Sequence, residues 1–363
     1  MRASDYRQGV AIENYTQENL TDEWWSTIFG LSVKAGTAAA IGDGLVGMNI
    51  RVPLSSDSAD VPSSVVVKLA SNDPTSRFTG ITLRNYEREV KFYNNLAATV
   101  DIRTPRCFYA DWHETAGDFV IVLEDMSPAE QGNQITGCKL GHAEAAIDEL
   151  VALHAPRWND PALWEVDFLQ RRATAEDASI LQMMYSGVKS AFLDTFGDAI
   201  TATCGESGVD FVHQLEKVLT QYVCEREEPF TVVHGDFRLD NMLFASAQGG
   251  AKCVVVDWQT PGHGNGIADL AYFIGAGLVL QDRRAHEQQL VDRYIAGLQS
   301  QGVVVDADWV HQLYRREAAA GVLMSVVASQ IVQRTDRGDQ MFTAMATRHI
   351  QHALDSETLS LIS

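Results

Sequence analysis

Two short segments constrain this chain more than anything else in it. One runs Val232, Val233, His234, Gly235, Asp236, Phe237, Arg238, Leu239, Asp240, Asn241; the other runs Val254, Val255, Val256, Asp257, Trp258, Gln259. Asp236 and Asn241 sit across a short loop from one another, and Asp257 follows a run of valines. Three oxygen-bearing side chains in this pattern can converge on magnesium and on a nucleophilic hydroxyl. Phosphoryl transfer asks for that set, because the moving group needs positioning and neutralisation of its charge. Either piece alone reads as well as an ordinary turn or a strand-end cap. Together they point to a kinase-type centre.

At 363 residues the chain is too long for one small core and suits two lobes. Its net charge of −20, from 28 basic and 48 acidic residues, argues against nucleic acid or an anionic membrane surface as a partner. The acidity serves solubility or draws a cationic substrate. Cys107, Cys138, Cys204, Cys224 and Cys253 are odd in number and scattered, so neither a disulfide framework nor a zinc site is indicated and a reducing cytoplasm is expected. The stretch through Glu13 has no apolar core of signal-peptide length, and the longest apolar run, near 270–280, falls short of a bilayer span. The chain reads as soluble.

Two β-branched stretches, 41–52 and 65–70, flank a serine-rich segment and read as a hairpin. Gly42, Gly44 and Gly47 in the first would let its backbone approach phosphates closely, or simply serve the turn. Lys68 follows three valines in a strand expected to be buried, so it needs a charge partner or a ligand. Over 83–97, Tyr86, Val90, Tyr93 and Ala97 recur at helical spacing and mark a buried face. Glu89 borders that face, whereas Glu87 stands four residues before Lys91 and is expected in a surface ion pair.

The strand Phe119, Val120, Ile121, Val122, Leu123 runs into Glu124, Asp125, Met126, Ser127 and Pro128, which reads as an inter-lobe linker or as a solvated bend. The helix over 142–154 carries His154 on its buried stripe, which reads as a hydrogen-bonded core residue, the alternative being a catalytic one. Further helices over 173–196, 209–224, 283–299 and 307–336 outweigh the strands of this half. Residues 260–271, with Pro261 and three glycines, read as a loop; it is too short for a protein-kinase activation segment and lacks Ala-Pro-Glu, which disfavours a protein substrate. Trp24 and Trp25 are expected to close the first half. For Trp112, Trp158, Trp164 and Trp309 core packing is the default, the alternative being a face toward a hydrophobic acceptor.

With His234, Gly235 and Asp236, then Asn241 after four intervening residues, then Asp257, Trp258 and Gln259, the chain resembles the aminoglycoside phosphotransferase and choline kinase superfamily. It is most similar to the ecdysteroid-kinase-like branch, over most of its length. The resemblance implies an α+β, bilobal, protein-kinase-like fold: an N-lobe over residues 1–126 with an antiparallel sheet and one main helix, and a mostly helical C-lobe over 127–363 carrying the catalytic loop and acceptor site. It implies that Asp236 is the catalytic base, that Asn241 and Asp257 bind magnesium, and that His234 props the loop. The family's Lys–Glu pair maps onto Lys68 and Glu89, which with Gly42, Gly44 and Gly47 would hold the phosphates, while the Glu124 carbonyl and Met126 amide would bond the adenine. Asp269 matches an aspartate that braces the catalytic loop, the competing reading being a helix N-cap. Arg238 either touches the γ-phosphate or pairs with a loop carboxylate. The activity implied is ATP- and magnesium-dependent phosphorylation of a hydroxyl on an aminoglycoside-, amino alcohol-, steroid- or sugar-like small molecule. The alternative is a catalytically silent nucleotide-binding module that regulates a partner. No nucleic acid, membrane or protein partner is implied.

Overall fold

The computed structural model describes residues 11–12, 14–42, 47–114, 117–171, 174–225, 228–332 and 334–362. The chain divides into two compact units, one of residues 1–99, 104–127 and 256–260, the other of residues 100–103, 128–255 and 261–363.

The first unit is built on an antiparallel sheet. Strands β1 (Lys34–Ala35) and β2 (Ala39–Ala40) both pair with β3 (Gly47–Ser55), which forms a hairpin with β4 (Ser64–Ala70). Strand β4 continues onto β6 (Asp118–Glu124), and β6 onto the edge strand β5 (Cys107–His113). Lys68 therefore lies in a central strand, opposite Asn49 on one side and Ile121 on the other. Side chains alternate across a strand. Val65, Val67 and Leu69 enter a core with Val120, Val122, Trp24 and Trp25, the two tryptophans coming from α1 (Asp22–Phe29). The intervening Lys68 is left to the other face.

The region expected to form one helix over 83–97 is more divided. Helix α2 (Pro74–Thr82), which the periodicity did not reveal, starts from an Asp73 cap that accepts the Ser76 amide at 2.8 Å, with Pro74 in its first turn. The chain then passes through Arg84, whose φ of 58° is left-handed, before α3 (Asn85–Lys91) begins. Helix α3 runs into a π turn over Phe92–Leu96 and a 3₁₀ turn over Ala97–Thr99.

The second unit is mainly helical: α4 (Leu140–His154), α5 (Ala175–Cys204), α6 (Glu206–Cys224), α7 (Gly266–Gly277), α8 (Leu280–Ser300), α9 (Ala307–Ile331) and α10 (Asp336–Asp355). Strands β7 (Glu130–Gln131), β9 (Met242–Ser246) and β10 (Gly249–Val255) form one small sheet, and β8 (Thr231–Val233) pairs with β11 (Gly262–Gly264) in another. The latter corrects the reading of 260–271 as loop throughout. Its glycines permit close strand contact: a Cβ at Gly262 would lie 2.9 Å from Val233 Cγ2. Helix α5 opens on a capping box of Thr174 and Asp177 and outruns its expected end, with Gly197 inside it. The single helix expected over 307–336 stops at Ile331, and the Thr335 hydroxyl caps a new one by accepting the Gly338 amide at 3.0 Å.

Helices α5, α6, α7, α9 and α10 share one core. Within it His349 and His352 of α10 are fully buried, in space left by two glycines. A Cβ at Gly321 would fall 2.0 Å from His349 Nδ1, and one at Gly275 would fall 2.6 Å from His352 Nδ1 and 2.8 Å from His349 Nδ1. Among the described residues no helix is long and apolar enough to cross a membrane. The five cysteines are free thiols.

Gly321→Ala should destabilise the protein despite the roughly 1 kcal/mol that alanine gains over glycine inside a helix. The added methyl has no space while His349 stays in place, and overpacking of this kind costs about 1–3 kcal/mol. Urea denaturation measures the difference; a gain in stability would show that His349 moves aside freely.

Candidate active site

In the second unit the segment after β8 turns at Gly235, where φ is 80°. The amides of His234 and Gly235 donate to the two carboxylate oxygens of Asp269, at 2.7 and 3.1 Å. Asp269 lies on α7, whose cap is instead Asn265, accepting the Ile267 amide at 2.9 Å. Asp269 therefore braces the loop and does not cap the helix. His234 Nδ1 accepts the Asp236 amide at 3.2 Å, and His154 is a core residue bonded to the Tyr294 hydroxyl at 2.8 Å.

This frame presents Asp236 with its side chain 25% exposed. Its Oδ1 accepts from the Tyr272 hydroxyl at 3.0 Å, its Oδ2 from Asn241 Nδ2 at 2.9 Å, and Arg238 Nε lies 3.1 and 3.0 Å from the two oxygens. Asn241 Nδ2 also donates to the Asp236 carbonyl at 2.9 Å. Both donations use the amide nitrogen, which fixes the side chain's orientation and leaves Asn241 Oδ1 as its acceptor. Arg238 pairs with loop carboxylates, since its Nη1 is also 3.1 Å from Asp240 Oδ2, a distance that Arg337 Nη2 shares. Burial opposes the charge of Arg238, but the carboxylates of Asp236 and Asp240 outweigh it and raise the guanidinium pKa.

Two residues that secure this loop escaped the sequence reading. Gln134 accepts the Leu239 amide at 3.0 Å through its side chain, and its own amide donates to Asp240 Oδ1 at 2.9 Å. No local pattern marks a contact so distant in the chain. Tyr272 did carry a signal, because it stands three residues after Asp269 on α7 and so shares its face.

In the first unit the Lys68 ammonium lies 2.6 Å from Glu89 Oε1 and 2.8 Å from Asp257 Oδ1. Burial alone would drive the proton off, but the Asp257 and Glu89 carboxylates outweigh it and raise the lysine above its ordinary pKa. Glu89 Oε1 also accepts the Trp258 amide at 3.2 Å, and the Trp258 ring stacks on Phe92 with centroids 3.8 Å apart. Asp257 has a φ of 68°, a left-handed conformation that strains a non-glycine residue by about 1–3 kcal/mol.

Glu87 does pair with Lys91, at 2.8 Å, but it is buried where a surface pair was expected. Arg84, turned by its left-handed backbone, covers it with two hydrogen bonds of 2.7 Å. Glu124 ends β6, its amide donating to the Arg106 carbonyl at 2.8 Å. The adjoining Asp125 is no solvated bend: Arg51 reaches it at 2.8 Å and the Ser64 hydroxyl at 2.7 Å. Met126 follows, half-buried. Gly42 adopts a φ of 68°, Gly47 begins β3, and Gly44 lies outside the described residues. Trp24 and Trp25 are buried, Trp112, Trp158 and Trp309 are half-buried, and Trp164 departs from core packing at 49% exposure, beside the Arg171 guanidinium.

The profile of the ecdysteroid kinase-like family matches residues 42–302, well over half of the chain. The chain belongs to this family. Membership makes it a small-molecule kinase. No curated protein matches it. Among solved structures it is similar to choline kinase from Cryptosporidium parvum Iowa II, with a TM-score of 0.58, 13% identity and 88% of each chain covered. It is also similar to a putative aminoglycoside phosphotransferase from Ralstonia eutropha, with a TM-score of 0.50, 14% identity, and coverage of 92% of this chain and 97% of that one. The GDP and kanamycin complex of APH(2″)-IIIa matches with a TM-score of 0.51 at 13% identity, covering 92% of this chain and 96% of that one. At these identities the likeness establishes the fold, which is the α+β, kinase-like class expected from the sequence.

Among the described residues of this ecdysteroid kinase-like chain, no group of three or more His, Cys, Asp or Glu side chains is placed to hold a metal ion. Asn241 in the second unit offers an oriented amide oxygen and Asp257 in the first a carboxylate, each a hard oxygen donor. Magnesium is characteristically held by one or two protein oxygens together with substrate phosphates and water.

The Arg84 hydrogen bonds, then Lys91, hold the Glu87 carboxyl down to about 2, against the partial burial that opposes them. A carboxyl lowered on folding contributes stability above its unfolded pKa and loses that contribution as pH falls through its folded one. The stability gap between wild type and Glu87→Gln should therefore be constant above about pH 4.5 and narrow toward pH 2. Denaturant titrations of both proteins across that range test it. A gap independent of pH would mean that Arg84 and Lys91 do not bind the charged form preferentially.

Proposed function

We propose that the chain transfers the γ-phosphoryl group of ATP, with magnesium, to a hydroxyl of a small molecule. The observation that carries this reading is the Asp236 carboxylate, accessible yet fixed on both oxygens by Tyr272, Arg238 and Asn241. A carboxylate so held can orient an acceptor hydroxyl and take its proton as the oxygen attacks phosphorus and the bond to the leaving ADP breaks. Its backbone is fixed as well, through Asp269 and His234, so the group is positioned before the acceptor arrives.

Lys68, kept charged and aimed by Glu89, pairs with the α- and β-phosphates, and the backbone at Gly42 and Gly47 lies against them. The Glu124 carbonyl and Met126 amide bond the adenine. Asn241 and Asp257 hold magnesium, which when bound neutralises the triphosphate. Residues 1–126 in this reading form the nucleotide-binding lobe, and 127–363 the lobe with the catalytic loop and acceptor site. The acceptor class is that of the similar solved structures, an amino alcohol such as choline or an aminoglycoside such as kanamycin, or another hydroxylated small molecule.

Asp236→Asn should keep ATP affinity and lose roughly 10²–10⁴-fold in turnover, the range for a positioned general base. Calorimetric titration with magnesium and ATP beside a rate measurement decides it, and wild-type turnover in the variant removes Asp236 from the role. Asp257→Ala should abolish the gain in ATP affinity that magnesium brings to the wild type, because a charged ligand is lost. The same titration with and without magnesium measures this; an undiminished gain overturns the metal assignment. Tight ATP binding by the wild type with no turnover on any hydroxylated acceptor would favour a silent nucleotide-binding module.

A further inference from the structure

Asp236 receives hydrogen bonds from three side chains, and they differ in origin. Arg238 and Asn241 stand two and five residues further along the same loop, so they move with the group they hold. Tyr272 comes from α7 and donates to Oδ1 at 3.0 Å. The same helix supplies Asp269 one turn earlier, which receives the His234 and Gly235 amides. One face of α7 thus fixes the loop backbone through Asp269 and touches the carboxylate through Tyr272.

The tyrosine is itself held. Its ring is buried and stacks on His349 of α10, with centroids 5.0 Å apart and planes 20° from parallel. Among the described residues neither nitrogen of His349 has a hydrogen-bond partner, although the ring is 1% exposed. Burying an imidazole with both nitrogens unpaired is costly. What the ring supplies here is a flat surface against Tyr272, seated in the space that Gly321 and Gly275 leave open. Burial, then the neighbouring Asp236 charge, raises the Tyr272 pKa well above its ordinary value, so the phenol keeps its proton and donates.

We propose that Tyr272 is a positioning residue for Asp236, anchoring the carboxylate to α7, and that the His349 ring holds Tyr272 in place. This rests on the reading of Asp236 as the base. Without the phenol, Arg238, which already approaches both oxygens, becomes the dominant partner and draws the carboxylate toward itself. The loss then falls on the oriented state that reacts and not on nucleotide binding.

The test is turnover of magnesium ATP with water as the acceptor, read as released phosphate, in a cycle of variants. Tyr272→Phe keeps the ring and its stacking and removes the hydroxyl. It should lower kcat about tenfold, the scale for one hydrogen bond to a charged group, with the KM for ATP and the melting temperature unchanged. In an Asp236→Asn background the same change should have no further effect, since the group it positions no longer acts as a base. His349→Ala should lower kcat in the wild type and leave it unchanged in the Tyr272→Phe background. If Asp236→Asn turns over like wild type, or the wild type turns over neither with water nor with any hydroxylated acceptor, the base reading fails and this inference with it. If Asp236→Asn is impaired but Tyr272→Phe is fully active, raises KM alone, or adds its loss to that of Asp236→Asn, the base stands and Tyr272 does not position it.

Discussion

A charged ammonium in the middle of a sheet is the constraint around which the first unit is organised. Lys68 occupies a central strand, and an isolated buried cation there would cost several kcal/mol. Two carboxylates offset that cost, and they come from different parts of the chain, Glu89 from α3 and Asp257 from the residues after β10. One ion therefore ties the sheet, a helix and a distant segment together. The Trp258 amide on Glu89 and the Trp258 ring on Phe92 strengthen the same junction with a hydrogen bond and an aromatic stack. The left-handed Asp257 is tolerated within this set of contacts, because they over-determine its position.

The loop of residues 234–241 in the second unit solves a different problem. It must hold one carboxylate still without smothering it, and it does so by satisfying backbone amides first. Asp269, His234 and Gln134 take up the amides of four consecutive or nearly consecutive residues, so the loop is rigid before any side chain of the site is considered. Arg238 then balances two aspartates that would otherwise repel each other, Asp236 and Asp240. Rigid backbone and balanced charge let a polar loop persist beside an apolar core.

The sequence made these arrangements legible to different depths. Lys68 and Glu89 could be paired in advance because the family resemblance implies such a pair, and helical phase, which is local, favoured Glu89 over Glu87. The same phase placed Glu87 toward Lys91 but missed its burial, since the covering Arg84 depends on a left-handed residue that no periodicity announces. Asp73 and Pro74 did spell a helix start, yet the short and largely exposed α2 behind them has too weak an apolar stripe to be read. Glycines at 262 and 264 read as loop although they sit in a strand pressed against β8, and the helix expected to end at 196 passes through Gly197 to Cys204. Gln134 lay beyond reach because its partners are more than a hundred residues away and only tertiary structure brings them to it.

The first unit is not a continuous stretch of chain. Residues 256–260 belong to it although the polypeptide has by then traversed most of the second unit, and they bring Asp257 and Trp258. A fragment ending near residue 127 would carry every strand of the sheet and still lack half of the counter-charge for Lys68 and the ring that covers Phe92. The gene accordingly has no single cut that separates the first unit from the rest. Shuffling or fusing the N-terminal part alone would transplant a sheet whose central charge has lost a partner.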